Sequence, residues 1–164
     1  MIESQDESRQ KYWNGYYQKK LEQGLEFQDV VTEALYHRGI VVVGYASRVF
    51  QNKRGENMLG AEIKNDAMFR QTGNLYIEVA EKSHPDKPNY TPSGIMRADN
   101  SWLYVIGDIE TVWIFSTKYL VMLKDRYPPM QTPTSIAHHM PMAAADKYAI
   151  RKIELDDEPT RTRR

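Results

Sequence analysis

The chain has 164 residues, no cysteine, and 22 Lys plus Arg against 22 Asp plus Glu. This length suffices for one domain, residues 1–164, with a substantial core, and the missing cysteines exclude a disulfide framework, a thiolate zinc site and a cysteine nucleophile. The balanced charge gives no overall positive field, so any phosphate contacts must come from local basic segments. The start MIESQDESRQ is polar and acidic, and no apolar run nears the ~20 residues that span a bilayer, so a soluble cytoplasmic protein is expected.

Residues 8–24 are predicted helical, with Tyr12, Trp13, Tyr16, Tyr17 and Leu21 at roughly helical spacing and Gly24 ending the run. A packing stripe is the plainer reading of these aromatics, and a base-stacking platform is the alternative. A second helix is predicted over 26–37, where Phe27, Val30, Val31, Ala34 and Leu35 form an apolar stripe that Arg38 and Gly39 close. The run IVVVGYASRVF reads as a strand buried on both faces, and QNKRGEN as a turn.

The segments GAEIKND and GNLYIEVAEKS then read as two charged strands joined by the connector QTG. Glu62, Lys64 and Asp66 are spaced two apart and share one face, with Ala61 and Ile63 on the other. In the second strand Leu75, Ile77 and Val79 oppose a polar face that carries Glu78 and Lys82. Paired as a hairpin, the strands would bring Glu78 to the acids of the first. Carboxylates that close repel unless a cation stands between them, and oxygen ligands suit Mg²⁺ or Mn²⁺. The plain alternative is a solvent-facing sheet with ordinary cross-strand charge pairs.

Residues 83–100 hold three prolines without periodicity and are expected to form a long loop. SWLYVIGD and TVWIFST read as two strands around a tight turn, and KYLVMLKDRY as a short helix. The stretch PPMQTPTSIAHHMPMAAA is expected to be irregular, KYAIRKIEL to be an edge strand, and 1–7 and 156–164 to be flexible tails. The order of elements predicts an α+β or mixed α/β class with neighbouring antiparallel strands.

A helix bearing a glutamate, a buried strand and two charged strands resemble the core of the PD-(D/E)XK nucleases, the restriction-endonuclease-like superfamily. GAEIKND and GNLYIEVAEKS are similar to segments of its small phage and bacterial members. By order of elements the resemblance covers residues 26–116. It implies a central mixed sheet flanked by helices and a Mg²⁺-dependent DNA endonuclease of the restriction, repair or junction-resolving kind, plausibly working as a homodimer. It also implies catalytic roles for Lys64, Glu78, Asp66 and Glu62, and metal ligation by Glu78, Asp66 and Glu62 with Glu33, or Glu26, reaching from the helix.

The chain departs from the superfamily pattern at Glu78-Val79-Ala80, where a lysine would stand third. Lys64 is the favoured replacement and Lys82 the other. A second registration makes Glu62-Ile63-Lys64 itself the acid-x-lysine element, with Glu56 as the upstream acid. Lys82, Lys87, Arg97, Lys53 and Arg54 are the expected nucleic-acid contacts, against the plain reading of solvated surface charge. The alternative to an enzyme is an inactive nucleic-acid-binding or protein-interaction module on the same fold.

Overall fold

A computed structural model describes residues 5–155. The tail 156–164, with Arg161, Arg163 and Arg164, lies outside the described residues, as do residues 1–4.

One helix, α1 (Gln5–His37), replaces the two predicted helices. Gly24 does not end it. A glycine inside a helix costs about 1 kcal/mol, which the good helix formers on either side can absorb. Among the described side chains of α1, the core is reached by Phe27, Val31, Ala34 and Leu35, whereas Tyr16, Leu21 and Leu25 are exposed.

The predicted buried strand from Ile40 does not form. Val41 and Val43 are exposed, a single bridge joins Gly44 to Asn57, and Arg48–Arg54 is helix α2, capped by the Ser47 side chain. An apolar run becomes a buried strand only where a sheet edge receives it. Here the sheet edges belong to other segments.

The described residues contain two four-stranded sheets, which makes the class α+β. The first sheet has the order β1 (Ala61–Asn65), β4 (Leu103–Gly107), β5 (Thr111–Ser116), β8 (Arg151–Glu154). It is mixed, with β1 parallel to β4 and the other pairs antiparallel. The second is antiparallel, with the order β3 (Thr91–Pro92), β2 (Asn74–Glu81), β7 (Ser135–Pro141), β6 (Pro129–Gln131).

The predicted β1–β2 hairpin is therefore wrong. The connector holds helix α3 (Phe69–Thr72), whose Phe69 is fully buried, and Gly73 at φ +70° turns the chain out of α3 into the second sheet. The predicted irregular stretch is also wrong, because it contains β6, β7 and helix α5 (Met142–Tyr148). Its prolines are placed where a strand tolerates them: Pro129 on the edge strand β6, Pro133 in the turn, Pro141 where β7 meets α5. The β4–β5 hairpin, the helix α4 (Thr117–Leu123) and β8 form where the pattern placed them. The long loop does contain the short β3 and a 3₁₀ turn at Gly94–Met96.

Alternation along the first sheet sorts its side chains into two cores. Ala61, Ile63, Val105, Val112 and Ile114 meet α1. Tyr104, Ile106, Trp113 and Phe115 meet Leu75, Ile77 and Met140 of the second sheet, with Phe69 and Leu120. Each large side chain so buried contributes about 1.5–3 kcal/mol. Glu62 and Lys64 alternate with Ala61 and Ile63, so they project on the side of the second sheet.

Candidate functional site

Glu62 lies opposite Tyr104 in the parallel β1–β4 register, and both are buried, Glu62 with 1% of its surface exposed. Lys64 Nζ stands 2.9 Å from Glu62 Oε1, with 34% of the lysine side chain exposed. No well-aligned hydrogen-bond donor reaches either oxygen of Glu62, and the Tyr104 hydroxyl is likewise buried without a hydrogen-bond partner. Apart from the Lys64 ammonium beside Glu62 Oε1, these buried oxygens on two cross-strand neighbours lack well-aligned partners, and such groups in a folded protein call for an explanation.

Glu78 arrives from the other sheet. The β2–β7 register shifts between Glu78 and Ala80, a bulge that bends the strand beside the acid. Ser93 Oγ donates to Glu78 Oε1 at 2.9 Å. Gly94, at φ +50°, presses against the Glu78 backbone so closely that a Cβ there would collide with its carbonyl oxygen. Glu56 comes from the segment before β1, and Gln28 of α1 donates to its Oε2 at 3.4 Å.

These groups form one electrostatic cluster. Burial opposes the Lys64 charge, but Glu62, Tyr104, Glu78 and Glu56 outweigh it and hold the ammonium well above the ordinary lysine value. Burial raises the carboxyl groups of Glu56 and Glu78, with Lys64 pulling each back. Burial also pushes the Tyr104 phenol well above its usual range. At neutral pH the site thus offers a fixed ammonium, a protonated phenol and carboxylates that take up protons more readily than usual.

Two adjoining cavities of about 510 and 590 Å³ open over this cluster, and Lys64 and Glu78 line both. Glu62 lies beneath Lys64, outside either lining.

Several expected site residues stand elsewhere. Asp66 accepts hydrogen bonds from the Met68 N–H at 3.1 Å and the Tyr76 N–H at 2.8 Å, so it ties the end of β1 to α3 and β2. It reaches the second cavity's lining, but Lys64 is not among its charge partners. Glu33 is 75% exposed and faces His37 at 3.7 Å, away from the cluster, and Glu26 is exposed too. Lys82 Nζ donates to the carbonyls of Pro85 and Lys87 and lies over the Tyr90 ring, which folds it into its own loop. Arg97 pairs with Asp99 and donates to the Gln51 carbonyl. Lys87 is exposed in the loop, and Lys53 and Arg54 are exposed at the end of α2. No three Asp, Glu or His side chains among the described residues are grouped as a ready metal cage. No described helix is long and apolar enough to cross a membrane.

In SWLYVIGD nothing local distinguishes Tyr104 from an ordinary strand residue. Its hydroxyl belongs to the site because β4 pairs with β1 across some forty residues of chain, a pairing without local signal. Ser93 and Gln28 were equally silent.

Compared with sequence profiles of known families, with curated proteins and with solved structures, the chain has no match.

Proposed function

We propose that the chain is a metal-dependent phosphodiesterase acting on nucleic acid, with Glu62-Ile63-Lys64 as its acid-x-lysine element. Glu56 is then the upstream acid, and Glu78 joins from the facing sheet. The observation that carries this reading is the buried Glu62 carboxylate, unsatisfied by any aligned donor, beside an ammonium and within the field of two further glutamates. Of the two registrations of the motif, this one uses the residues that converge. The other takes its helix acid from Glu33 or Glu26, which are exposed, and pairs Glu78 with either Asp66 or Glu62.

The donor set suits a hard divalent cation such as Mg²⁺ or Mn²⁺, because it is all-oxygen and anionic. Glu62 and Glu78 would hold it, and when bound it would polarise a phosphate oxygen and acidify a water. Lys64 stays charged, so it cannot serve as a base; it stabilises negative charge developing on the phosphate. Glu56, which stays off the cation and has raised proton affinity, accepts the proton of the attacking water. The Tyr104 phenol, in the lining of the second cavity, would donate a hydrogen bond to a bound phosphate.

DNA as substrate, a restriction-endonuclease-like core, a homodimer and a cytoplasmic location belong to the same proposal. Support for the core comes from α1 packed on a mixed sheet and from the acid-x-lysine element on its edge strand.

A second reading rests on the closeness of Lys64 to Glu62. A pair already compensated internally suits a module that binds nucleic acid without cutting it.

Cleavage of labelled single-stranded, duplex and branched DNA with Mg²⁺ or Mn²⁺ separates the two. Metal-dependent cutting that disappears in Glu62→Gln and Lys64→Met supports the enzyme. Binding without cutting supports the module, and cutting undiminished in both variants removes the site from consideration.

A further inference from the structure

Deepening the phosphodiesterase reading, on which this inference rests, we propose that the substrate is a single polynucleotide strand, held in a slot between the projecting part of α1 and the body of the protein. The two cavities share Tyr16, Lys20, Lys64, Asn65, Ala67, Glu78, Thr134 and Ser135 in their linings, so they are one continuous space. Its floor carries the ammonium and carboxylate of the proposed site. One wall is the turn Thr132–Ser135, stiffened by hydrogen bonds between its own side chains and backbone. The other wall is the helix.

Tyr16, Lys20, Gly24 and Gln28 all line the first cavity. Their spacing of four places them in a row that winds about 120° around the helix over about 18 Å at 1.5 Å per residue. That length matches about five nucleotides of a stacked strand at ~3.4 Å each. Gln28 ends the row at Glu56, so the row leads into the acids.

The chemistry along the row is that of a strand-binding wall. The Tyr16 ring is 44% exposed and offers a face on which a base can stack, and Lys20, whose ammonium lies 5.9 Å from the ring centre, can turn to a phosphate. Gly24 has nothing within 4 Å of where its Cβ would stand, which keeps the slot open midway along the wall. Cavities of about 510 and 590 Å³ are of the size that encloses a drug-sized molecule, so they take about one or two nucleotides over the site while the rest of the strand follows the helix row. A duplex is far wider.

The test measures binding of a fluorescent single-stranded oligodeoxynucleotide and of its blunt duplex to the full chain in Ca²⁺, with cleavage followed in Mg²⁺. The single strand is expected to bind at least about ten-fold more tightly than the duplex. Tyr16→Ala should weaken it about ten-fold while Tyr16→Phe leaves it unchanged. Gly24→Leu should raise the melting temperature, because leucine is the better helix former, and still weaken single-strand binding about ten-fold. That combination separates a filled slot from a damaged fold. Equal or tighter duplex binding, or unchanged affinity in Tyr16→Ala and Gly24→Leu, overturns the slot. If the duplex is nonetheless cut in Mg²⁺, the phosphodiesterase reading survives that loss. Slot-dependent binding without cutting in any metal leaves the slot standing and removes the enzyme instead.

Discussion

Lys64 Nζ and Glu62 Oε1 lie 2.9 Å apart although the two residues are neighbours on one face of a single strand, and only the lysine reaches solvent. The lysine is thus the counter-charge of a carboxylate that has no other. Replacing it with methionine strands a buried charge, which costs about 3 kcal/mol, the low end for such pairs because the ammonium is partly exposed. Urea unfolding of Lys64→Met in a metal-free buffer checks this. In the double variant Lys64→Met with Glu62→Gln the loss should be at least half restored, and a double variant as unstable as the single one would show that the pair is not the cause.

If the acids hold a divalent cation, Mg²⁺ stabilises the fold by mass action. At about one hundred times its dissociation constant the gain is ~2.7 kcal/mol. For a domain of this size that is a rise of roughly 5–10 °C in melting temperature. The rise should vanish in Glu62→Gln, and a melting temperature indifferent to both Mg²⁺ and Mn²⁺ would remove the metal from the proposal.

The pH dependence of stability follows from which carboxyls are raised. Burial raises Glu56, Glu78 and Asp66, so between the ordinary carboxylate range and their own values the native chain binds more protons than the unfolded one. Stability therefore grows as pH falls into that window, and is lost as pH rises through the raised values. Asp108 and Glu154 act in the opposite sense. Burial pushes Asp108 up, but the Arg70 guanidinium and the N–H groups of Thr111 and Glu110 outweigh it, while the Thr111 hydroxyl leads in holding Glu154 down. Their contribution is present above the unfolded carboxylate value and lost as pH falls through the lowered ones. Denaturation curves in metal-free buffer should show stability falling as pH rises above the ordinary carboxylate range, with Glu78→Gln flattening that slope. A maximum at pH 7 or higher would contradict the assignment.

Asp66 tests the separation of structure from chemistry. Asparagine there keeps one of the two acceptors now used by Met68 and Tyr76, so Asp66→Asn should cost about 1–3 kcal/mol of stability. Cleavage at a temperature where the variant is folded should stay within about three-fold of the parent, where loss of an electrostatic catalytic group costs 10²–10³-fold. A hundred-fold loss would return Asp66 to the site.

Gly94 holds the floor under Glu78. Gly94→Ala imposes a left-handed φ on alanine and drives its Cβ into the Glu78 carbonyl, so a loss of more than about 1 kcal/mol is expected, together with weaker Mg²⁺ stabilisation. Wild-type metal response in this variant would mean that the position of Glu78 is set elsewhere.

The sequence by itself determined the period-two faces of β1 and β2, the β4–β5 hairpin and the grouping of Glu62 with Lys64, because alternation and turn chemistry are local. It also offered two registrations of an acid-x-lysine element, and nothing local could say which residues converge. The tertiary structure decided which side chains lie together. β1 pairs with β4 rather than with β2, so Tyr104 comes beside Glu62, Glu78 crosses from a facing sheet, and Asp66, two residues beyond Lys64, is spent on backbone N–H groups. The same holds for Gly24, a break signal by propensity that a long helix overrides, and for the run after Ile40, apolar enough for a buried strand but left without a sheet edge. Strand partners, sheet edges and helix continuations are settled by free energies summed over the whole chain, and no window of ten residues contains them.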